Sequence, residues 1–383
     1  MSAIYDNWER LVAAAVKKQQ IWELCHQPSR STSTLSEASY LTSSFRDLSF
    51  DISCLRTSSR SHPNLVLLSE FRPDFDVKDA SLASIELLGV GTFGSAYVAT
   101  TDAEQRFVVK RLKSEGISQL DFKRNMEIVG DVRHQNVVAL RAYYSSPDEN
   151  LMLYDYYSNG SVHSLLHGTR GVGGIPLDWR SRVKIALGAA RGIAHIHGQH
   201  QKLVLGNIKS ANIFLNEQNH SILAFDAALA NLISPERLSG VLDSAYCSPE
   251  VANSGAVSQA SDVYSFGVVL LQLFFGESSQ EYDSLAVWVQ WVGSVYRTHE
   301  WPAELFLRHG SEQAATQVLE MAVGCVSIVL EHRPTIFEVV KVLEEIDGVE
   351  PQTIVEDTAW GEYSSVQSGF EYLVENLLPM LSP

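Results

Sequence analysis

The sequence predicts an α+β fold of two lobes, a β-rich N-lobe with one main helix and a mostly α-helical C-lobe. Four short apolar runs bounded by turn residues predict the strands Leu65–Leu68, Ile85–Leu88, Ala96–Thr100 and Arg106–Leu112. A helical pattern containing Phe122, Asn125 and Val129 follows, and a long helix then begins at Asp178 and runs through His197.

Composition divides the chain into four parts. Residues 63–348 have the pattern of a packed domain, with an N-lobe of about 63–157 and a C-lobe of about 158–348. An amphipathic helix is predicted over 1–27, and about half of the residues in 28–62 are Ser or Thr, which predicts a disordered linker. Residues 349–383 form an acidic tail that ends in a second amphipathic helix.

The N-terminal helix has a stripe of apolar residues and a basic pair, Lys17 and Lys18. The stripe comprises Ile4, Trp8, Leu11, Val12, Ala15, Ile21, Trp22 and Cys25. Such a helix either packs on the domain or binds a partner or a membrane surface, where Cys25 could carry an acyl group. The linker that follows contains the Arg-flanked runs R-S-T-S-T and R-T-S-S-R, which suit basophilic kinases. A phosphorylated segment and a plain linker both fit this composition.

The end of the chain is acidic, with no Lys or Arg after Lys341 and nine acidic residues through Glu375. Its apolar positions have helical spacing, at Phe370, Leu373, Val374, Leu377, Leu378 and Leu381. The tail helix either packs back on the domain or docks into the groove of a partner.

The net charge of −16 argues against nucleic acid as the main partner. The four cysteines are scattered and form no C-x-x-C pair, so disulfides are not expected and a reducing compartment fits best. No apolar run is long enough to cross a bilayer. We therefore expect a cytoplasmic protein without a transmembrane span, for which peripheral contact with the plasma membrane stays open.

A glycine-rich run, G-V-G-T-F-G, contains Gly89, Gly91 and Gly94. The spacing alone also fits a dinucleotide fingerprint, but that motif opens a helix, whereas here a strand follows over Ser95–Thr100. A glycine-rich hairpin that covers phosphates fits better. Lys110 lies on the next strand, where it could contact them.

The stretch Leu203–Asn216 has the spacing of a phosphoryl-transfer catalytic loop, in which an acidic base precedes a Lys by two residues and an Asn by five. Asn207 occupies the position of the base, and Lys209 and Asn212 follow as expected. A carboxylate can accept a proton from an attacking hydroxyl, and an amide at pH 7 cannot.

These motifs occur in order with several others. The run includes G-V-G-T-F-G-S-A-Y, V-V-K-R-L, R-H-Q-N-V-V-A-L-R-A-Y-Y, L-M-L-Y-D-Y-Y-S-N-G-S-V, S-D-V-Y-S-F-G-V-V-L and H-R-P-T. From about Leu65 to Asp347 the sequence resembles the protein kinase domain of plant leucine-rich-repeat receptor-like kinases, especially the group called probable inactive receptor kinases. The resemblance implies a bilobal protein kinase fold. The leucine-rich ectodomain and membrane span typical of that family are not found in this sequence, so we expect a cytoplasmic member.

The resemblance also implies roles in binding ATP. Gly89, Gly91 and Gly94 would approach the phosphates, and Lys110 would contact the α- and β-phosphates. Tyr154 falls at the gatekeeper position, before the hinge of Asp155–Tyr157 that would bond adenine through its backbone. Lys209 matches the lysine that contacts the γ-phosphate, and Asn212 and Asp226 match the two magnesium ligands. Lys110 could instead simply pair with Asp226.

Several positions depart from the family pattern. The family has a glutamate on the helix after Lys110 that pairs with this lysine, and the matching position here is Asn125. The nearby Glu127 lies about 200° around the helix from Asn125. The usual His-Arg-Asp is Leu205-Gly206-Asn207, and the usual Asp-Phe-Gly is Asp226-Ala227-Ala228. Val108 and Phe214 would narrow the adenine slot from above and below.

Other positions match the scaffold of the fold. Asp262 matches the residue that anchors the catalytic loop, and Arg333 is available to pair with Glu250. The sequence therefore predicts a pseudokinase or very weak kinase, with weak or vestigial ATP binding and magnesium as a second ligand. It would act as a scaffold or allosteric partner of other proteins, either an active receptor-like kinase or its substrate. The alternative is an active Ser/Thr kinase with an atypical catalytic loop.

Overall fold

The computed structural model describes residues 65–68, 82–91, 93–101, 104–113, 117–147, 149–167, 177–199, 203–217, 220–223, 229, 232, 242, 245–275, 289 and 312–348. The helix predicted over 1–27, the linker 28–62, the tail 349–383 and the three residues from Asp226 to Ala228 lie outside these ranges. Within them, no helix is both long enough and apolar enough to span a bilayer.

The N-lobe is built on one antiparallel sheet of six strands, in the order β1-β5-β6-β4-β3-β2. The strands are β1 (Leu65–Leu67), β2 (Leu82–Val90), β3 (Gly94–Thr101), β4 (Arg106–Leu112), β5 (Leu140–Ser145) and β6 (Asn150–Asp155). The four strands expected from the sequence are therefore present, and β2 begins three residues earlier than its apolar run indicated.

The sheet buries side chains on both faces. One face carries a small apolar cluster of Ala99, Val109, Ala142, Tyr144, Leu151 and Leu153. The other face packs on the main core, which continues through both lobes. Pairing of β3 with β4 and of β4 with β6 places Lys110 between Ala96 and Met152.

One helix, α1 (Gln119–Asp131), packs on the sheet. The Ser118 side chain caps its N-terminus by accepting a hydrogen bond from the Asp121 backbone N–H. Its buried residues are Phe122, Asn125, Met126, Val129 and Gly130. The ring of Phe122 meets Tyr143 of β5 edge to face, with 6.1 Å between ring centroids.

The C-lobe is mostly helical, which confirms the predicted fold class. Its helices are α2 (Val162–His167), α3 (Trp179–Gln199), α4 (Pro249–Ser254), α5 (Gln259–Phe275), α6 (Glu312–Cys325) and α7 (Ile336–Asp347). The antiparallel strands β7 (Ile213–Leu215) and β8 (Ser221–Leu223) follow a short 3₁₀ turn at Ser210–Asn212. Helix α5 is apolar on nearly every side because it runs through the centre of the lobe.

Candidate phosphoryl-transfer site

Asp262 of α5 holds the loop that corresponds to the catalytic loop. Its carboxylate accepts hydrogen bonds from the backbone N–H groups of Leu205 and Gly206, each at 2.7 Å. It also lies 2.9 Å from Nε2 of His197, at the end of α3. Asp262 is only 1% exposed, so these bonds replace water that the carboxylate has lost. The anchor expected from the sequence is present.

Gly206 has a backbone φ of +69°, in the left-handed region. Glycine adopts this conformation without the steric cost that a Cβ would add. The residue between Leu205 and Asn207 therefore suits the bend that the Asp262 anchor imposes on the loop.

The side chain of Asn212 also supports the loop. Its Nδ2 donates to the backbone oxygen of Asn207 at 2.9 Å, and its own N–H donates to the oxygen of Lys209 at 2.9 Å. Asn207, Lys209 and Asn212 are all partly buried. The loop thus brings together the three predicted residues, with an amide at the position of the base.

A small cavity of about 20 Å³ lies beside this loop. Its lining includes Asn207 and Lys209 from the loop, Tyr246 and Ser248 before α4, and Ser261 of α5. A hydrogen-bonded chain fixes this region, because Tyr246 Oη lies 2.9 Å from Ser210 Oγ and donates to Gln272 Oε1 at 2.8 Å. A volume of this size holds about one water molecule.

Lys110 lies against the side chain of Tyr154, the residue at the predicted gatekeeper position. Its Nζ is 5.5 Å from the centroid of the Tyr154 ring, close enough for a cation–π contact. Of the two candidate partners of Lys110 on α1, Asn125 is buried, with 8% of its surface exposed, and Glu127 is exposed. The face predicted from helical spacing is correct, so the helix turns a neutral amide toward the core where the family pattern has a glutamate.

The glycine-rich turn joins β2 to β3. Its ends are tied by a hydrogen bond of 2.7 Å from the Gly91 N–H to the Gly94 oxygen. A Cβ on Gly94 would lie 1.9 Å from the backbone oxygen of Arg111, so this glycine is required by the close approach of β3 to β4. Among the described residues, no atom lies within 4 Å of a Cβ built on Gly89. Open space at that position is compatible with a ligand that comes close to the backbone.

Two arginines hold the predicted hinge that follows β6. Arg141 of β5 binds the Asp155 carboxylate through Nε at 3.0 Å and Nη2 at 2.6 Å. The Arg106 guanidinium lies 4.0 Å above the ring of Tyr156. Neither arginine was singled out from the sequence, because both contacts depend on the register between strands that are distant in the chain.

Tyr157 connects the predicted hinge to Phe214, the predicted floor of the adenine slot. Its ring stacks on that of Phe214 in β7, with centroids 6.3 Å apart and an interplanar angle of 21°. Burial raises the pKa of the Tyr157 hydroxyl to about 12, and the nearby Asp155 carboxylate acts in the same direction. Phe214 lies between the buried residues Ile213 and Leu215 and is itself partly exposed. Its ring therefore presents an aromatic surface on the cleft side of β7.

The ion pair expected between Glu250 and Arg333 is present and bidentate, with distances of 2.6 Å and 2.8 Å. Burial alone would raise the pKa of the Glu250 carboxyl, but hydrogen bonds from Arg333 and Ser248 outweigh it and hold the pKa below its usual range. Arg333 also donates to the backbone oxygens of Ser327 and Ala260. It thereby joins α4, α5 and the turn before α7.

Among the predicted magnesium ligands, only Asn212 lies in the described part of the chain. Its Nδ2 is used inside the loop, which leaves Oδ1 as one neutral oxygen for a cation. Magnesium is usually held by carboxylates, phosphates and water. Metal binding here would depend on Asp226 and on a bound nucleotide.

Comparison with known proteins agrees with this geometry. Residues 82–343 match the family model described as "Protein kinase domain". A probable inactive receptor kinase of Arabidopsis thaliana is 45% identical over 291 residues, which cover 73% of this chain and 45% of that protein. The chain spans about half the length of the curated relatives it matches.

Two solved structures are also similar. The kinase domain of maize SIRK1 bound to AMP-PNP aligns with a TM-score of 0.64 and 30% identity, over 74% of this chain and 100% of that domain. The pseudokinase domain of BIR2, an immune regulator of the RLK/Pelle family, aligns with a TM-score of 0.61 and 27% identity, over 75% of this chain and 91% of that one. The chain belongs to the protein kinase family, and its relatives are plant receptor-like kinases, several of which are named inactive.

Proposed function

We propose that this protein is a pseudokinase that acts as a scaffold or allosteric partner in plant kinase signalling. In this proposal it binds adenine nucleotide weakly and with little dependence on metal, and it transfers phosphate very slowly or not at all. Its partner is another protein, either an active receptor-like kinase or a substrate of one.

The observation that carries the proposal is Asn207 in a loop whose shape is otherwise kept. Asp262 and Asn212 hold the backbone on both sides of it, which supports an amide at the position where a carboxylate would accept the proton of the attacking hydroxyl. General-base catalysis is worth roughly 10²–10⁴-fold in rate. Loss of the carboxylate in an intact loop therefore removes chemistry without removing structure.

The nucleotide part of the proposal rests on Lys110, on the glycine-rich turn and on the aromatic floor at Phe214. A maize relative of similar fold was crystallised with AMP-PNP, which supports nucleotide binding in this cleft. Asn125 is neutral and cannot supply the ionic partner that the helix glutamate gives this lysine in an active kinase. Weak binding follows from this.

The partner part of the proposal rests on the relatives, among them a pseudokinase named as an immune regulator. A net charge of −16 disfavours a nucleic acid partner, because the phosphate backbone is also negatively charged. We place the protein in the cytoplasm, with peripheral contact to the plasma membrane through the N-terminal stripe as part of the same proposal.

A transfer assay with radiolabelled ATP and magnesium tests the inactivity. We expect almost no incorporation by the full chain, and Lys110→Ala serves as the control for contaminating kinases. Incorporation at ordinary kinase rates that Lys110→Ala abolishes would contradict the proposal. The Asn207→Asp variant, run beside it, shows whether the carboxylate alone restores transfer; we expect it to remain far below an active kinase because Asn125 is unchanged.

Nucleotide binding is a separate question, and thermal shift with ATP, with and without magnesium, measures it. We expect a small shift that magnesium changes little. A large shift that depends on magnesium would contradict weak, metal-independent binding.

An active Ser/Thr kinase with an atypical loop is the second candidate, favoured by the retention of Lys110, Lys209 and Asn212. Positioning of the substrates and electrostatic stabilisation supply much of the rate enhancement in phosphoryl transfer. Under this alternative Lys209→Ala should abolish incorporation, and an unchanged signal would mean that a contaminant produced it.

A further inference from the structure

The first strand of the sheet directly touches helix α1. β1 pairs with the edge of β5, with Leu65 opposite Tyr144, Val66 opposite Tyr143 and Leu67 opposite Ala142. The pairing continues one residue further, because the Leu68 N–H donates to the backbone oxygen of Arg141 at 3.1 Å.

The side chain of Leu68 packs on α1 in a notch at Gly130, where the helix has no Cβ. A Cβ built on Gly130 would lie 2.9 Å from Cδ2 and 3.0 Å from Cδ1 of Leu68. Real Cβ atoms essentially never come this close to carbon, so only glycine lets Leu68 approach the helix to this distance. Leu68 is partly buried against the main core, whereas its neighbour Leu67 is 46% exposed.

A second route joins β1 to the same helix. Tyr143, which pairs with Val66, packs its ring against Phe122 of α1. The β1 segment therefore contacts α1 at Gly130 through Leu68 and at Phe122 through the neighbouring strand. The two contact points lie about two helical turns apart, so together they fix both the height and the rotation of α1.

This contact matters because α1 carries Asn125. In an active kinase an ion pair between the strand lysine and the helix glutamate helps to set the position of this helix. An amide in place of that glutamate removes the ionic part of this constraint. The packing of Leu68 on Gly130 lies five residues further along the helix and does not depend on charge.

We propose that Leu68 is a positioning residue, which fixes α1 against the N-lobe sheet in place of the ion pair that Asn125 cannot form. The β1 segment then couples the edge of the sheet to the helix that carries Asn125. This inference holds whether or not the protein transfers phosphate.

Amide hydrogen exchange of the full chain, followed by mass spectrometry, tests the proposal. In Leu68→Ala we expect exchange in 119–131 to accelerate about tenfold, since the notch becomes a void and the helix opens more often. Exchange in α7, residues 336–347, should stay unchanged. The matched control is Leu67→Ala, which removes the same atoms from the exposed neighbour and should leave α1 as it is. Leu68→Met should restore protection, because its flexible side chain can refill the notch.

The reciprocal variant gives a second measurement. Gly130→Ala should accelerate exchange in α1 less than Leu68→Ala does, since its Cβ would displace only the end of the Leu68 side chain. In the double variant Leu68→Ala/Gly130→Ala the added methyl group has space, so exchange should be no faster than in Leu68→Ala alone. Equal acceleration in α1 and α7, an effect of Leu67→Ala as large as that of Leu68→Ala, or additive effects in the double variant would each overturn the proposal.

Discussion

Replacement of Asp262 by alanine tests whether the catalytic loop is retained as a structural element. The carboxylate accepts two backbone N–H bonds of 2.7 Å and lies 2.9 Å from His197 Nε2, in a position that is 1% exposed. A hydrogen bond to a charged group contributes roughly 1.5–3 kcal/mol, and removal of one partner from a buried charged contact costs roughly 3–5 kcal/mol. Water can enter the space that the carboxylate leaves, which offsets part of this loss.

We therefore expect Asp262→Ala to lower the free energy of unfolding by about 4 kcal/mol. Asp262→Asn keeps one oxygen acceptor but turns an NH₂ group toward a backbone N–H, so about half of that loss should remain. Urea titration followed by circular dichroism gives both values.

The control is Asp178→Ala before α3. Asp178 also accepts a backbone N–H at 2.7 Å, from Ser181, but it is exposed, so its loss should cost about 1 kcal/mol. If Asp262→Ala costs no more than Asp178→Ala, the loop is not held by the carboxylate and the reasoning fails.

Two further predictions concern the glycine-rich turn and the ion pair near α4. Gly94→Ala should lower the free energy of unfolding, measured by urea titration, by about 3 kcal/mol, because its Cβ would lie 1.9 Å from a backbone oxygen of β4. Gly89→Ala should leave the free energy of unfolding unchanged and weaken ATP binding in the thermal-shift assay. An unstable Gly89→Ala protein, or a stable Gly94→Ala protein, would contradict these assignments. Hydrogen bonds from Arg333 and Ser248 hold the pKa of the folded-state Glu250 carboxyl below its unfolded-state value. The pair of Glu250 with Arg333 should therefore stabilise the fold fully at pH values above the unfolded-state pKa. This contribution should be lost as the pH falls through the folded-state pKa. Glu250→Gln should accordingly be less stable than the unchanged chain at pH 7, with a difference that shrinks in acid; a constant difference between pH 7 and pH 3 would contradict the linkage.

The sequence predicted the features of this site that depend on local spacing. The strands around Lys110 and the buried face of α1 at Asn125 follow from periodicities of two and 3.6 residues, which a single segment reveals. The anchor at Asp262 and the pair of Glu250 with Arg333 followed from a resemblance, since both join residues more than fifty positions apart.

Other contacts could not be predicted because strand register and helix packing decide them. Arg141 reaches Asp155 only when β5 and β6 pair in the observed register. The approach of Leu68 to Gly130 requires a strand added at the edge of the sheet, and local spacing does not indicate which edge that strand joins. The predictions for Asp226–Ala228 and for both ends of the chain stay predictions.

The anchor at Asp262 has a consequence for how such a loop can change over evolutionary time. The carboxylate binds backbone N–H groups, which every amino acid except proline provides, so the anchor uses no side chain at 205, although the left-handed backbone at 206 favours glycine. Substitutions that erase a proton acceptor or a neighbouring imidazole therefore leave the shape of the segment intact. Catalysis depends on side-chain atoms of this loop, whereas its folded shape depends on backbone atoms. A lineage can therefore lose catalysis and keep the folded loop without passing through an intermediate that fails to fold.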